Sequence, residues 1–382
     1  MSTRSKYLFR KFLKSRYQHI SNKQFINIAS AVVGLLAGLA AVTIKNLVHF
    51  IQALLEGKFI IEIHQAFYFV FPIIGLLLVL LIKKYIVRKK LGHGIPSTLF
   101  AISKQKGMMP RYQMWASLIT APLTVGFGGS VGLEGPTVAT STALGSNFAR
   151  LFHLNQTTRT LLIGAAAAGA MASIFKAPIA AIIFAVEIFS LELTMASLVP
   201  LLLASITAVL TSYFFFGDDV LLHFTLQDDF AFNDVMFYIL LGVITASVSI
   251  YFSKIYFRID QFFKSFTNTY KRLLIGGILL GTLIYFIPPL FGEGYETINN
   301  VLKGNIDPVI INNVFHTTSS SIWIVVSLLI GLILFKVVAT AFTFGAGGVG
   351  GVFGPTLFTG SLTGYVFALI INSSNIFAHQ LS

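Results

Sequence analysis

The sequence contains no cysteine, and this absence removes several kinds of chemistry at once. A chain without thiols forms no disulfide, binds no metal through thiolate and has no cysteine nucleophile. The glycine-rich segment 345–351 lacks the Gly-Lys-Ser/Thr ending of a phosphate-binding loop. The sequence also shows no metal-ligand cluster and no nucleophile–base set. We therefore expect neither an enzyme nor a protein with a bound cofactor.

Charged residues are scarce as well. They make up 11% of the 382 residues, whereas 55% of the residues are hydrophobic and the mean hydropathy is +0.81. A soluble chain of this length needs more charge to cover its surface. The composition therefore predicts an integral membrane protein in contact with the lipid bilayer.

Acidic residues are scarcest of all: 14, against 27 basic ones, give a net charge of +13. Residues 1–23 contain seven basic residues and no acidic one, and a second basic cluster lies at 83–90. Both flank apolar runs, so the positive-inside rule predicts that both are cytoplasmic, with the chain in the cell (inner) membrane. Nucleic-acid binding is the competing interpretation of a basic chain. It is disfavoured, because no comparable basic patch lies away from these flanks.

Apolar runs follow one another along the whole chain. The first, Phe25–Ile44, is long enough to span a bilayer and has no clear cleavage site after it, so we interpret it as a membrane helix. Later runs are interrupted by glycine and proline at 92–96, 122–136 and 176–178, and several are too short to cross ~30 Å as a helix. Such interruptions predict an all-α fold of tilted and discontinuous helices.

The chain contains an internal repeat. Shifted by 219 residues, the segment 124–149 lies on 343–368, with Gly132-Leu-Glu-Gly-Pro-Thr137 matching Gly351-Val-Phe-Gly-Pro-Thr356. A weaker echo pairs Gly92-His-Gly94 with Gly292-Glu-Gly294. We therefore predict a duplicated membrane unit. Its parts are a basic cytoplasmic N-terminus at 1–24, a first repeat at 25–217, a connecting loop at 218–231 and a second repeat at 232–382.

The matching motifs predict two helix starts at an anion site. Proline suits the first turn of a helix, and the glycines before it bring backbone N–H groups close to a ligand. Free N–H groups and the helix dipole favour an anion at such an end. Two such ends hold an anion without a full positive charge, which suits release and hence transport.

Glu134 lies at the first of these helix starts. A carboxylate at membrane depth is costly, so its presence suggests a function. Its negative charge can take the place of the anion until protonation or an incoming ion moves it aside, which makes Glu134 the candidate gate. The alternative is a static glutamate near a helix start.

Other polar residues in apolar surroundings are weaker candidates. His93 opens a further helix and could donate a hydrogen bond to an anion, or it could be a surface residue in a turn. For Lys176 and Glu187 we favour a structural ion pair or a lysine that reaches the membrane surface.

The three motifs at 92–96, 132–136 and 351–355, in this order, resemble those of the CLC family of chloride channels and chloride/proton exchangers. The resemblance runs from the first span to the end of the chain. It implies a CLC-like inverted repeat of helices, a homodimer with one pore in each subunit, and chloride or a related anion as the transported ligand.

The resemblance also assigns roles to individual residues. It maps the gate onto Glu134, the inner-mouth residue onto His93, and the backbone donors of the central site onto Val352 and Phe353. The full set of anion-binding positions that it implies is His93, Gly94, Ile95, Gly135, Val352 and Phe353.

Three departures from the family pattern matter. The family usually has serine where this chain has His93, and often Arg or Lys where it has Leu133. Exchangers of the family commonly carry a proton-transfer glutamate at the position of Ile188. The last departure favours a voltage- or pH-gated channel over a chloride/proton antiporter, which stays the alternative.

The resemblance further predicts helices after the second motif that this sequence does not contain, since it ends at Ser382. We therefore expect an incomplete second repeat, and dimerisation only when the C-terminal helices are supplied. A non-transporting, truncated remnant is the third possibility.

Overall fold

Helices make up nearly all of the described chain, as the apolar runs predict. The computed structural model describes residues 19–55, 64–89, 91–92, 94–192, 194–218, 220–222, 232–306 and 322–373. In chain order the α-helices are α1 (Asn22–Leu55), α2 (His64–Leu81), α3 (Gly94–Lys104), α4 (Gln113–Gly126), α5 (Glu134–Leu151), α6 (Gln156–Phe175), α7 (Pro178–Phe189), α8 (Met195–Phe216), α9 (Val235–Lys264), α10 (Thr269–Phe286), α11 (Tyr295–Leu302), α12 (Ile322–Gly345) and α13 (Phe353–Ser373). Helix α2 continues as a π-helical turn, Ile82–Val87, and short 3₁₀ turns lie at Phe232–Asp234 and Pro288–Leu290.

Eight of the described helices are long and apolar enough to cross a membrane. They are α1, α2 with its π-helical turn, α6, α8, α9, α10, α12 and α13. Helix α9 exposes most of its apolar residues, as expected of a helix that faces lipid. The predicted all-α membrane fold is thus confirmed.

The chain forms two compact units, each drawn from separate parts of the sequence. The first comprises Met1–Ile44, Leu91–Leu118 and Pro136–Val220. Its centre is α6, which packs against α7 and α8. Helix α6 buries a run of small residues, 164–170, and every alanine in this run has 0% exposure. Small side chains let helix backbones approach closely, which is how helices associate in a membrane.

The second unit comprises Lys45–Lys90, Ile119–Gly135 and Leu221–Ser382. Helix α2 packs against α10, while α12 packs against α9, α10 and α13. Its core includes Leu280, Ile284, Leu329 and Phe358, all with 0% exposure. The loops that follow α4 and α12 both lie in this unit, and with them lies the start of α5 at Glu134. The predicted division of the sequence into successive repeats at 25–217 and 232–382 stays a prediction.

Candidate anion site

The two repeated motifs are in direct contact. Gly132 and Gly351, which the 219-residue shift pairs, form an antiparallel bridge. The N–H of each donates to the carbonyl oxygen of the other at 2.8 Å. Exchange of the same bond in both directions is what a local two-fold relationship between the loops requires.

Two threonines extend this reciprocal pattern. The Ser130 N–H donates to Oγ1 of Thr343 at 3.1 Å, and the Val349 N–H donates to Oγ1 of Thr124 at 3.0 Å. The 219-residue shift maps Thr124 onto Thr343 and Ser130 onto Val349, so each bond is the repeat of the other. The helices agree: α4 and α12 end at the paired Gly126 and Gly345, and α5 and α13 begin at the paired Glu134 and Phe353. The structure therefore confirms that the motifs are matched in geometry as well as in sequence.

Basic side chains hold the second of these loops at its start. Lys83 Nζ donates to the carbonyl oxygen of Gly347 at 3.0 Å, and Arg272 Nε donates to that of Gly345 at 3.2 Å. Cations suit the C-terminal end of a helix, where carbonyl groups lack helical partners. Arg272 thus caps α12, and Lys83, which the sequence assigns to a basic membrane flank, also holds the loop that follows this helix.

The Glu134 side chain is buried at these helix starts, with 1% exposure. Its Oε1 accepts a hydrogen bond from the hydroxyl of Tyr295, and its carboxylate lies against the backbone N–H of Gly354, in the first turn of α13. Among the described residues, Oε2 has no hydrogen-bond partner of good geometry. A Cβ on Gly132 would lie 2.1 Å from this Oε2, so only glycine leaves room for the carboxylate here. A negative group thus occupies the place that the dipole of α13 makes favourable for an anion.

A second carboxylate lies next to the gate candidate. Glu293 Oε1 accepts a hydrogen bond from the Leu133 N–H at 2.9 Å. Gly292 and Gly294, on either side of Glu293, have φ of 61° and 90°, a region that glycine adopts readily. These two turns direct the Glu293 side chain toward the first motif.

A buried lysine supplies the positive charge of this cluster. Lys336, in the middle of α12, has 0% exposure. Its Nζ donates to the carbonyl oxygen of Gly292 at 2.9 Å and lies 4.8 Å from the centre of the Phe358 ring. It interacts electrostatically with Glu293. A buried ammonium group is stable only with such partners.

The predicted site residues differ in what the structure shows of them. Glu134 and Gly135 begin α5, and Val352 and Phe353 lie at the start of α13. The motifs at 132–136 and 351–355 are close: a Cβ on Gly135 would lie 3.0 Å from the Cα of Gly351. Val352 is 42% exposed. The roles assigned to these residues stay predictions.

The first of the three motifs is described only in part. His93 lies outside the described residues. Gly94 and Ile95 begin α3, in the other compact unit, and the carbonyl oxygen of Gly94 accepts a hydrogen bond from the Ser97 hydroxyl at 2.7 Å. An anion-binding role of these residues also stays a prediction.

The two weaker candidates take no part in this cluster. Lys176 Nζ donates to the carbonyl oxygen of Gly217 at 2.5 Å and lies 4.8 Å from the centre of the Tyr213 ring. Glu187 is exposed on α7. Lys176 thus binds a helix end, and the structural interpretation of Lys176 and Glu187 stays a prediction.

The sequence analysis missed Glu293, Tyr295 and Lys336. Sequence signals existed for two of these residues, Lys336 and Glu293. Lys336 is a lone charge within an apolar span, and such residues are functional by default. Glu293 is the repeat partner of His93 in the echo of Gly92-His-Gly94, so the candidate role of His93 pointed to the same place in the second repeat.

Apolar spanning helices and two helix starts that meet through their loops define an integral membrane protein with the architecture of a transporter built on discontinuous helices. Residues 74–380 match the family described as "Voltage gated chloride channel". This match covers most of the chain, and the chain belongs to that family. The predicted CLC membership is therefore confirmed.

Similar proteins are found in archaea and bacteria. An uncharacterised protein of Methanocaldococcus jannaschii is 28% identical over 356 residues, which are 93% of this chain and 81% of that protein. The H(+)/Cl(-) exchange transporter ClcA of Vibrio parahaemolyticus is 28% identical over 354 residues, 89% of this chain and 72% of that protein.

Solved structures share the fold. A CLC-type fluoride/proton antiporter matches with a TM-score of 0.69 and 24% identity, over 88% of this chain and 80% of that one. A slow cyanobacterial Cl-/H+ antiporter matches with a TM-score of 0.74 and 19% identity, over 93% of this chain and 81% of that one. At these identities the likeness establishes the fold alone.

Proposed function

We propose that this protein moves chloride or a similar small anion across a membrane and that Glu134 is the gate. One observation carries this proposal: the Glu134 carboxylate is buried beside the N–H of Gly354, at the start of α13. Free N–H groups at a helix start bind anions, and a carboxylate there competes with a mobile ion for the same groups. Protonation neutralises the competitor and opens the site.

The predicted setting of this activity belongs to the same proposal. The protein lies in the cell (inner) membrane with its N-terminus in the cytoplasm, and it acts as a homodimer. The positive-inside rule supports the orientation. The family supports the dimer, in which each subunit carries its own pore.

Proton-coupled exchange is the second candidate function. The relative ClcA is named an H(+)/Cl(-) exchange transporter, and both solved structures above are named antiporters. The buried Glu134, Tyr295 and nearby Glu293 supply exchangeable protons in this chain, although Ile188 replaces the usual proton-transfer glutamate. A gated channel without coupling stays the first candidate on the ground of Ile188.

Chloride efflux from liposomes that contain the purified protein tests the gate. We expect efflux of the unchanged protein to rise as the pH falls, and Glu134→Gln to remove most of this dependence while efflux persists. Glu187→Gln is the matched control, since it neutralises an exposed carboxylate on α7. Equal pH dependence in Glu134→Gln and the unchanged protein contradicts the gate.

The reversal potential separates the two candidate functions. In planar bilayers with a chloride gradient, a channel gives a reversal potential that a superimposed pH gradient does not move. A coupled exchanger gives one that moves with the pH gradient. Absence of any anion flux in both assays contradicts the proposal as a whole.

A further inference from the structure

A second carboxylate is built into the place where the gate is held. Glu293 binds the backbone next to the gate: its Oε1 accepts the N–H of Leu133, the residue just before Glu134. The two carboxylates interact electrostatically. Their separation along the chain is 159 residues, so the contact is a product of the fold and not of local sequence.

Four other groups bear on the charge of Glu293. Glu134 and Tyr295 interact with Glu293 electrostatically. Lys336 of α12 and Lys45 of α1 do so as well. Lys336 is fully buried and donates to the Gly292 carbonyl oxygen. Two ionised carboxylates close together repel each other, so one of the two favours a proton while the other stays charged.

The two glutamates differ in exposure. Glu293 is partly exposed as a residue, whereas Glu134 has 1% exposure. On Glu134, Oε1 is taken by the Tyr295 hydroxyl, while Oε2 has no hydrogen-bond partner among the described residues and is free to accept a proton.

We propose that Glu293 is a proton-binding residue of the transport path and that it shares a single proton with Glu134. In the closed state the proton is on Glu293, and Glu134 is the carboxylate that occupies the anion position. When the proton leaves a carboxyl oxygen of Glu293 and binds Oε2 of Glu134, Glu293 becomes the carboxylate and Glu134 becomes neutral. The pair keeps a charge of −1, which Lys336 balances, and the neutral Glu134 releases the site to the anion. This inference rests on the proposed role of Glu134.

Glu293→Gln tests the proposal, because glutamine keeps an oxygen that can accept the Leu133 N–H but carries no charge. Removal of a negative charge beside Glu134 favours its ionised form, so a lower pH is needed to protonate it. We expect chloride efflux from liposomes to persist, with the midpoint of its pH dependence lower by about one unit or more. Glu293→Asp, which keeps the charge, should stay near the unchanged protein. Glu296→Gln, at an exposed position of α11 three residues further along the chain, is the matched control.

The outcomes separate this inference from the proposed function. A midpoint that is the same in Glu293→Gln as in the unchanged protein, with Glu134→Gln insensitive to pH, contradicts the shared proton and leaves the gate intact. A pH dependence that survives in Glu134→Gln contradicts the gate and with it the shared proton. If the gate and the shared proton are both correct, the double variant Glu134→Gln/Glu293→Gln behaves as Glu134→Gln alone. Size-exclusion profiles in detergent confirm that each variant is folded, and Glu293→Ala, which also removes the charge, keeps the test decisive if Glu293→Gln does not fold.

Discussion

The hydroxyl of Tyr295, the first residue of α11, donates a hydrogen bond to Oε1 of Glu134, the first residue of α5. Both side chains are buried. The bond links the gate candidate to the start of α11. This helix follows the turn Gly292-Glu293-Gly294 (the GEG turn), where Lys336 donates to the Gly292 carbonyl oxygen. Tyr295 thus fixes the carboxylate in the place that an anion needs.

Tyr295→Phe should weaken this closed state. The ring is kept and the donor is lost, and a hydrogen bond to a charged group contributes about 1.5–3 kcal/mol. We expect chloride efflux at neutral pH to rise about tenfold or more. The measurement is initial efflux from liposomes at matched protein content. Tyr365→Phe on α13 is the control, since that ring packs against the core, and equal efflux in the unchanged protein and Tyr295→Phe contradicts the holding role.

The sequence predicted the framework of this site because its signals are local. Glycine, proline and the 219-residue repeat mark the ends of α4 and α12 and the starts of α5 and α13, and each is found within a few residues. The sequence predicts that the first span ends near Lys45 or runs on toward Leu55, and the observed α1 is one helix to Leu55, because Lys45 and His49 interrupt the hydropathy but not the helical backbone.

The partners of Glu134 could not be predicted in the same way. Tyr295 and Glu293 lie about 160 positions further along the chain, and their contact depends on how α11 and its GEG turn pack in the second unit. Nothing in the local sequence of Tyr295 distinguishes it from a tyrosine of the core. Lys336 did carry a signal, an isolated charge in an apolar run, but its partner is a backbone carbonyl that the sequence does not specify.

Gly132→Ala should open the gate by steric exclusion. The added Cβ would lie 2.1 Å from Oε2 of Glu134, so the carboxylate cannot stay where it is. Forced displacement in a packed site costs about 1–3 kcal/mol, which corresponds to a rise in neutral-pH efflux of about tenfold. We expect the pH dependence to flatten, as in Glu134→Gln. Gly364→Ala on α13, where a Cβ meets open space, is the control, and Gly132→Ala efflux that equals it argues against the observed position of the carboxylate.

Lys336→Met should destabilise the protein through charge. Loss of the buried ammonium group removes its electrostatic interaction with Glu293 and leaves the Gly292 carbonyl oxygen without this donor. A buried polar group left unpaired costs about 1–3 kcal/mol. We expect a lower midpoint of thermal unfolding in detergent, and partial recovery in Lys336→Met/Glu293→Gln. Lys264→Met, whose exposed side chain forms an i,i+4 ion pair with Asp260, should have little effect. A single variant as stable as the unchanged protein, or a double variant less stable than Lys336→Met, contradicts the assigned pairing.

The reciprocal threonines allow the two-fold relationship of the loops to be tested by itself. Thr124 Oγ1 accepts the Val349 N–H, and Thr343 Oγ1 accepts the Ser130 N–H, so Thr→Val at either position keeps the shape and leaves one buried N–H unpaired. An unpaired buried donor costs about 1–3 kcal/mol. We expect Thr124→Val and Thr343→Val to lower the unfolding midpoint in detergent by similar amounts, since the two bonds are repeats of each other. Thr363→Val on α13 is the matched control, because the described contact of that buried hydroxyl is a bond to the Thr359 carbonyl oxygen within its own helix.

The double variant Thr124→Val/Thr343→Val should also reduce chloride efflux, since both loops carry the helix starts at which Glu134 is held. If one single variant lowers the unfolding midpoint and the other is no less stable than Thr363→Val, the two loops are not energetically equivalent. The gate then depends on only one of them.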